Sequence, residues 1–456
     1  MGLGAAMRAD ATEDGQGSRA LMMQGVAAVR APPRNILRAY ESLVLIYLTS
    51  LLYLYPYGIP LGSSASIRAP DVLGLFCLLV GSAALVFKQR LRVDPVFLAV
   101  IGPFLLLELA TPLIGAIGYR QPLDAVSSLR MAILWLPMIF LTMLGTRKTG
   151  PRFERKLRLL LAASLCLNVP YAFVEIAVDL GYAPAWMAFT NFLEPWAVDR
   201  HFSVVTGLRP AGFFVNTTAL TAFGIVCLCY FYGQYVANRT RADLHLSLLS
   251  LLVVTLTTSR TGYAAAALII LIGWFALPGR RKITVVAVLA LAVGGLLLAI
   301  DRTIGIEQTF YRFQRLAESG LLADASFGQR VRNTWPAALA VARDYPFGTL
   351  ISAPRIAVLI DSGYLSYYIQ GRWVFIASIA FMLMSQWVIG LWSLRKPYLR
   401  PGGLIILFLV SYLTLGMIIT NPLRAPGVIS FMVFAFWKFR YEKTVVCLRF
   451  RGASAG

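Results

Sequence analysis

Apolar runs long enough to cross a bilayer recur along this chain, separated by short connections in which arginine and lysine concentrate. About 20 helical residues are needed to span the hydrocarbon layer, where unpaired backbone groups are not tolerated. That rule predicts spans at 40–57, 71–87, 96–118, 128–145, 157–179, 212–235, 244–259, 262–278, 283–300, 371–394, 402–420 and 427–440. The fold expected is all-α: a polytopic membrane protein of about twelve transmembrane helices. Two connections are long. Residues 180–211 are aromatic and expected at the membrane surface. Residues 301–370 carry helical patterning in TFYRFQRLAESGLL and SFGQRVRNTWPAALAVARDYP, and loops of that length without a role are uncommon. The organisation expected is a disordered cytosolic tail over 1–38, a first bundle over 39–300, a loop region with short helices over 301–370, a last bundle over 371–440 and a cytosolic tail over 441–456. Residues 1–35 lack the apolar core of a signal peptide, and no repeat suggests an inverted-repeat transporter.

Composition agrees. Of the residues 58% are hydrophobic and 14% charged, too little charge to cover a water-facing surface. The net charge of +21 does not mark a nucleic-acid binder, because the basic residues sit in short clusters between apolar runs. The five cysteines fall mostly inside spans without metal or disulfide spacing, and Cys227 and Cys229 read as packing or lipid-facing residues. Two histidines, His201 and His245, exclude chemistry that needs several histidine ligands.

Charge also orients the chain. All seven lysines (Lys88, Lys148, Lys156, Lys282, Lys396, Lys438 and Lys443) fall in connections on the same side as the N-terminal tail, which makes both termini cytosolic. The other side carries arginine alone: Arg68, Arg120, Arg130, Arg200, Arg209, Arg260, eight more between 302 and 372, and Arg424. For most of these the reading is salt bridging and lipid headgroup contact.

Three places could carry chemistry. In Gly207–Asn216, Arg209 is held by Pro210 where the sixth span begins, Gly212 permits close backbone approach, and Asn216 lies in the first turns. A fixed cation beside a helix N-terminus is a ready anion site, although an interfacial arginine snorkelling to headgroups reads equally well. In Thr255–Tyr263 the connection is so tight that Arg260 sits near the membrane plane among hydroxyls, where arginines line polar cavities or pair with anions. The alternative is a simple helix-hairpin turn. In Asp361-Ser362-Gly363-Tyr364-Leu365 the carboxylate could act as a general base, but Asp-Ser is also good capping chemistry, and the sequence favours the cap. Glu108 and Glu175, inside spans, are second-rank candidates that could simply bond to a neighbouring helix. His201 reads as interfacial, and His245 as lying at the cytosolic end of a span.

Taken in order, RPAGFFVN (209–216), TTSRTGY (257–263), RVRNTWPAALAVARDYPFGTL (330–350) and DSGYL (361–365) resemble the O-antigen ligase and polymerase superfamily of membrane glycosyltransferases. The resemblance implies a GT-C-like fold with a cavity open to the periplasm of a bacterial inner membrane. It implies that Arg209 and Arg260 hold the diphosphate of a polyprenyl-linked oligosaccharide, with Asp361 activating the acceptor hydroxyl. Asn216, Ser259, Tyr263, Arg330, Arg332 and Tyr364 are then substrate-binding residues. No metal or other cofactor is implied. The partners implied are the lipid-linked oligosaccharide, membrane lipid, and a chain-length regulator and flippase of the same pathway, with no nucleic acid. Ligase-type members carry a histidine near the equivalent of Asp361, whereas no histidine occurs here from 246 onward, which favours the polymerase branch. The product is then an exopolysaccharide, capsule or O-antigen chain. The alternatives are a ligase and, from a different class, a transporter or lipid flippase.

Overall fold

The computed structural model describes residues 34–54, 58–60, 66–86, 95–118, 130, 133–145, 149–188, 210–214, 217–257, 259–277, 282, 328–350, 362–396, 399–425 and 427–453. Twelve α-helices occur among them: α1 (Arg34–Tyr53), α2 (Ala69–Val86), α3 (Pro95–Gly118), α4 (Leu136–Leu144), α5 (Thr149–Asp179), α6 (Thr217–Asn238), α7 (Arg241–Leu256), α8 (Arg260–Ala276), α9 (Trp335–Arg343), α10 (Gly363–Leu394), α11 (Arg400–Ile419) and α12 (Val428–Ala453). Seven of these (α1, α2, α3, α5, α6, α10 and α11) are long and apolar enough to cross a membrane. The protein is an all-α polytopic membrane protein. The expected span 283–300 lies outside the described residues, and 128–145 is described only in part.

α6 is the axis of the bundle. It is apolar around its whole circumference, and every residue from Leu220 to Val236 is buried. α7 runs back against it, joined by the hydrogen bond from Thr221 Oγ1 to Thr257 Oγ1 at 2.9 Å. α8 runs parallel to α6: Gly262 meets Thr221 near one end, and Gly273 meets the Tyr232 ring near the other. α11 is antiparallel to α6, with Gly233 against Ile405 and Tyr232 stacked on Phe408 at 5.6 Å. Small residues also let α10 approach α11 closely, Gly390 facing Leu407 and Gly403 facing Ser393. The N-termini of α6 and α8 and the C-terminus of α11 therefore share one end of the bundle.

The opposite end is tied by charge. Along the first turns of α5, Arg152 pairs with Glu41 of α1, and Arg158 pairs with Asp243 of α7 at 2.9 Å. Glu154 accepts from Lys438 of α12 at 2.6 Å and from Gln234 of α6 at 3.1 Å, and Glu442 accepts from the Gly402 N–H at 2.9 Å. Buried charges persist only when paired and hydrogen-bonded, and these are. The described parts of the lysine-side connections, around 149–158, 238–243, 400–402 and 438–442, thus meet at one end.

Apolar side chains fill the outside of the ring, among them Val72, Leu75, Phe76 and Leu79 of α2 and Phe381, Met384, Val388 and Leu391 of α10. Water does not tolerate so large an apolar surface, but lipid does.

Four features depart from the sequence reading. A small antiparallel hairpin pairs β1 (Gly58–Pro60) with β2 (Ser66–Arg68), Ile59 opposite Ile67. α6 begins at Thr217 instead of 212, because Gly212 turns the chain with φ +61° before the helix starts. α10 begins at Gly363, eight residues before the expected span, and is broken at Gly371 (φ −153°, ψ 26°) and Arg372 (φ 56°, ψ −148°). The helix of α12 continues to Ala453, through most of the stretch expected as a tail.

Candidate functional site

Each motif singled out in the sequence leads to the end of the bundle where α6 and α8 begin. The turn at 210–214 is anchored on α5. The Gly212 N–H donates to Glu175 Oε2 at 2.7 Å, and the Phe213 N–H donates to Asn168 Oδ1 at 3.0 Å. A Cβ on Gly212 would lie 2.5 Å from that Asn168 oxygen, so the turn admits only glycine here. Phe213 stacks on Tyr171 at 4.4 Å, and Pro210 is buried. Glu175 therefore bonds to the 210–214 turn. Arg209, which precedes Pro210, lies outside the described residues, as does Asn216.

Arg260 is the first residue of α8 and is half-buried. The hydroxyls of Thr257, Ser259 and Tyr263 are engaged in building its turn. Ser259 is the N-cap, its Oγ accepting from the Gly262 N–H at 3.2 Å, and Tyr263 Oη donates to the Thr255 carbonyl at 2.8 Å. Thr257 donates to the Val254 carbonyl at 2.7 Å while accepting from Thr221. The arginine thus sits at a helix N-terminus on a pinned hairpin, a setting that favours anions.

The described part of the long connection docks on α10. A π-helical turn, Arg330–Thr334, leads into α9, with Arg330 half-buried and Arg332 exposed. Ala338 and Ala342 of α9 pack on Ile369. The break in α10 deprives the carbonyls before it of their helical partners. Two are recovered across the contact: the Thr349 N–H donates to the Ile369 carbonyl at 2.8 Å, and the Leu350 N–H to the Gln370 carbonyl at 2.9 Å. Gly348, at φ +90°, makes this approach possible, since a Cβ there would lie 2.5 Å from the Gln370 carbonyl oxygen. In return Arg372 donates to the carbonyls of Ala342, in the last turn of α9, and of Tyr345, just past its end.

The DSGYL segment is locked to the end of α11. Ser362 caps α10, its Oγ accepting from the Leu365 N–H at 3.4 Å. The Gly363 N–H donates to the Thr420 carbonyl at 2.9 Å, and Tyr364 Oη to the Thr414 carbonyl at 3.3 Å. The cap is carried by Ser362, and Asp361 lies outside the described residues.

One cluster joins residues that the sequence reading did not put together. Glu108 and Thr111 of α3, Tyr367 and Gln370 of α10, and Arg424 in the turn after α11 form a polar set inside the bundle. Arg424 Nη2 donates to Gln370 Oε1 at 3.0 Å, and Gln370 Nε2 donates to Thr111 Oγ1 at 3.2 Å. Tyr367 hydrogen-bonds both Glu108 and Arg424. The sequence signals were Glu108 inside a span and an arginine framed by two prolines in the short connection NPLRAP.

The structure therefore brings Arg260, Ser259, Tyr263, the 210–214 turn, Tyr364 and the 421–424 turn to one end of the bundle, with the segment bearing Arg330 and Arg332 docked on α10. Arg260 at the N-terminus of α8 and Arg424 lie among them, which suits an anionic substrate. These features define a polytopic helical membrane protein with a polar, arginine-bearing site at one end. Residues 245–357 match the family described as O-antigen ligase. That similarity covers about a quarter of the chain, and over it the chain resembles the family. The matched stretch runs from α7 through Arg260 and past α9. Comparison with curated proteins finds no match.

Proposed function

We propose that this chain polymerises oligosaccharide repeat units carried on a polyprenyl diphosphate, transferring the growing glycan to an acceptor sugar at the periplasmic face of a bacterial inner membrane. The family match over 245–357 carries the reading, because it contains both Arg260 and the segment docked on α10. Transfer from a diphosphate carrier needs charge stabilisation on the departing diphosphate and activation of an acceptor hydroxyl. Arg209 and Arg260 supply the first, as planar forks that stay charged, in place of a metal ion. Asp361 supplies the second, taking the proton of the acceptor hydroxyl as that oxygen attacks the anomeric carbon and the diphosphate leaves.

The family's description favours a second reading, a ligase that hands a finished glycan to a different acceptor. The absence of histidine after residue 245 favours the polymerase. Purified protein given only a lipid-linked repeat unit decides between them. A ladder of products supports polymerisation. Turnover that requires a separate acceptor, with one addition per acceptor, supports ligation. No product under either condition removes the transferase reading.

A further inference from the structure

We propose that Asn421 and Arg424 form a glycan subsite beside the transfer site, binding hydroxyls of the sugar next to the reacting bond; this rests on the reading of the chain as a glycan transferase. The two residues flank a single tight turn. Pro422 and Leu423 between them are buried and fix its shape as a 3-10 turn over Pro422–Arg424. The turn follows Thr420 directly, and the Thr420 carbonyl accepts from Gly363, so it abuts the DSGYL segment.

The Asn421 carboxamide is the first observation. Both Nδ2 and Oδ1 are shielded from solvent, and neither has a hydrogen-bond partner among the described residues. Leaving such a group unpaired costs about 1–3 kcal/mol, and buried polar groups in native proteins have partners. The partner must offer a donor and an acceptor together.

The second observation is how Arg424 is aimed. Its Nη2 is fixed on Gln370, and its guanidinium lies over the Tyr367 ring at 5.5 Å. Gln370, Tyr367, Glu108 and Thr111 are all buried, so the scaffold behind the arginine is rigid. Glu108 interacts with it electrostatically, and Tyr367 hydrogen-bonds both. Arg424 itself is only half-buried, so part of its guanidinium stays open to a ligand.

The chemistry selects the ligand. A lipid phosphate offers acceptors only and would leave Asn421 Oδ1 unpaired, whereas a sugar hydroxyl donates and accepts at once. Adjacent ring hydroxyls satisfy both ends of the carboxamide, and the planar arginine fork spans a further pair of oxygens.

The test uses the full chain in lipid nanodiscs, with lipid-linked repeat units extracted from the source cells. Asn421→Leu, which keeps the shape and removes the amide, is expected to raise KM about tenfold, equivalent to about 1.4 kcal/mol, while kcat stays within about twofold. The same variant without substrate is expected to melt higher than wild type, since the unpaired amide is gone. Arg424→Lys is expected to raise KM as well, because the fork is lost while the charge is kept. An unchanged KM in Asn421→Leu overturns the proposal. If wild type forms no product, the transferase reading fails by itself, and saturation-transfer NMR with the delipidated oligosaccharide still decides the subsite. Binding by wild type that Asn421→Leu abolishes supports it, and no binding by wild type overturns it.

Discussion

Arg372 donates to the carbonyl oxygen of Tyr345 twice, from Nε at 2.9 Å and from Nη2 at 2.5 Å. The same residue holds a left-handed φ of 56° in the middle of α10. A non-glycine residue in such a conformation costs about 1–3 kcal/mol and persists only when its surroundings determine it. Here the surroundings are the end of α9, which receives the guanidinium in place of the helical N–H groups it lacks. Arg372→Ala is expected to release residues 343–350 from α10. Limited proteolysis checks this: cleavage in that stretch should become faster than in wild type while the rest of the chain stays protected. Arg372→Lys should fail to restore protection, since one ammonium cannot reproduce the fork.

Gly348 answers the same contact from the other side. With φ at +90° and the Gln370 carbonyl 2.5 Å from where a Cβ would stand, Gly348→Ala should destabilise the protein by at least about 2 kcal/mol. A thermal melt in detergent reads this directly, and an unchanged midpoint would count against the docked arrangement.

Glu175 separates acceptor geometry from charge. Its Oε2 receives the Gly212 N–H, and a glutamine carbonyl can do the same. Glu175→Gln is expected to retain most activity and stability, whereas Glu175→Leu leaves the Gly212 N–H unpaired and should cost about 1–3 kcal/mol. Equal loss in both variants, measured by activity and melting together, would mean that the negative charge matters in its own right.

Ser259 and Arg260 are neighbours with different work. Ser259→Ala removes an N-cap and is expected to cost about 1 kcal/mol of stability with kcat little changed. Arg260→Ala is expected to lower kcat at least about 100-fold with the protein still abundant in membranes, and Arg260→Lys to be poor as well. Initial rates on a lipid-linked repeat unit compare the three, and full activity in Arg260→Ala would falsify its assignment to the diphosphate.

The spans were legible because a bilayer imposes length and apolarity on every crossing, and the lysine clusters grouped the connections that meet around Glu154 and Lys438. Which helices are central was not legible. α2 has the higher mean hydropathy of the two, yet only 28% of its most apolar stretch is buried, against 94% for α6. Lipid is as apolar as a protein core, so the sequence draws no line between a helix that faces lipid and one that faces other helices. The break in α10 was hidden for another reason: it is imposed by α9 and the 348–350 segment, not by the local run Gln370-Gly371-Arg372. The Glu108, Tyr367, Gln370 and Arg424 set was hidden because its members are scattered over three elements and meet only in the folded chain.

At Gly371 and Arg372 the helical ladder is already interrupted, and the carbonyls left over are held by residues 349 and 350. The stretch 363–370 and α9 are therefore joined into one unit, set off from residues 373–394 by the break. A change of angle at that break costs no further helical hydrogen bonds, because the carbonyls freed there are already paired with residues 349 and 350.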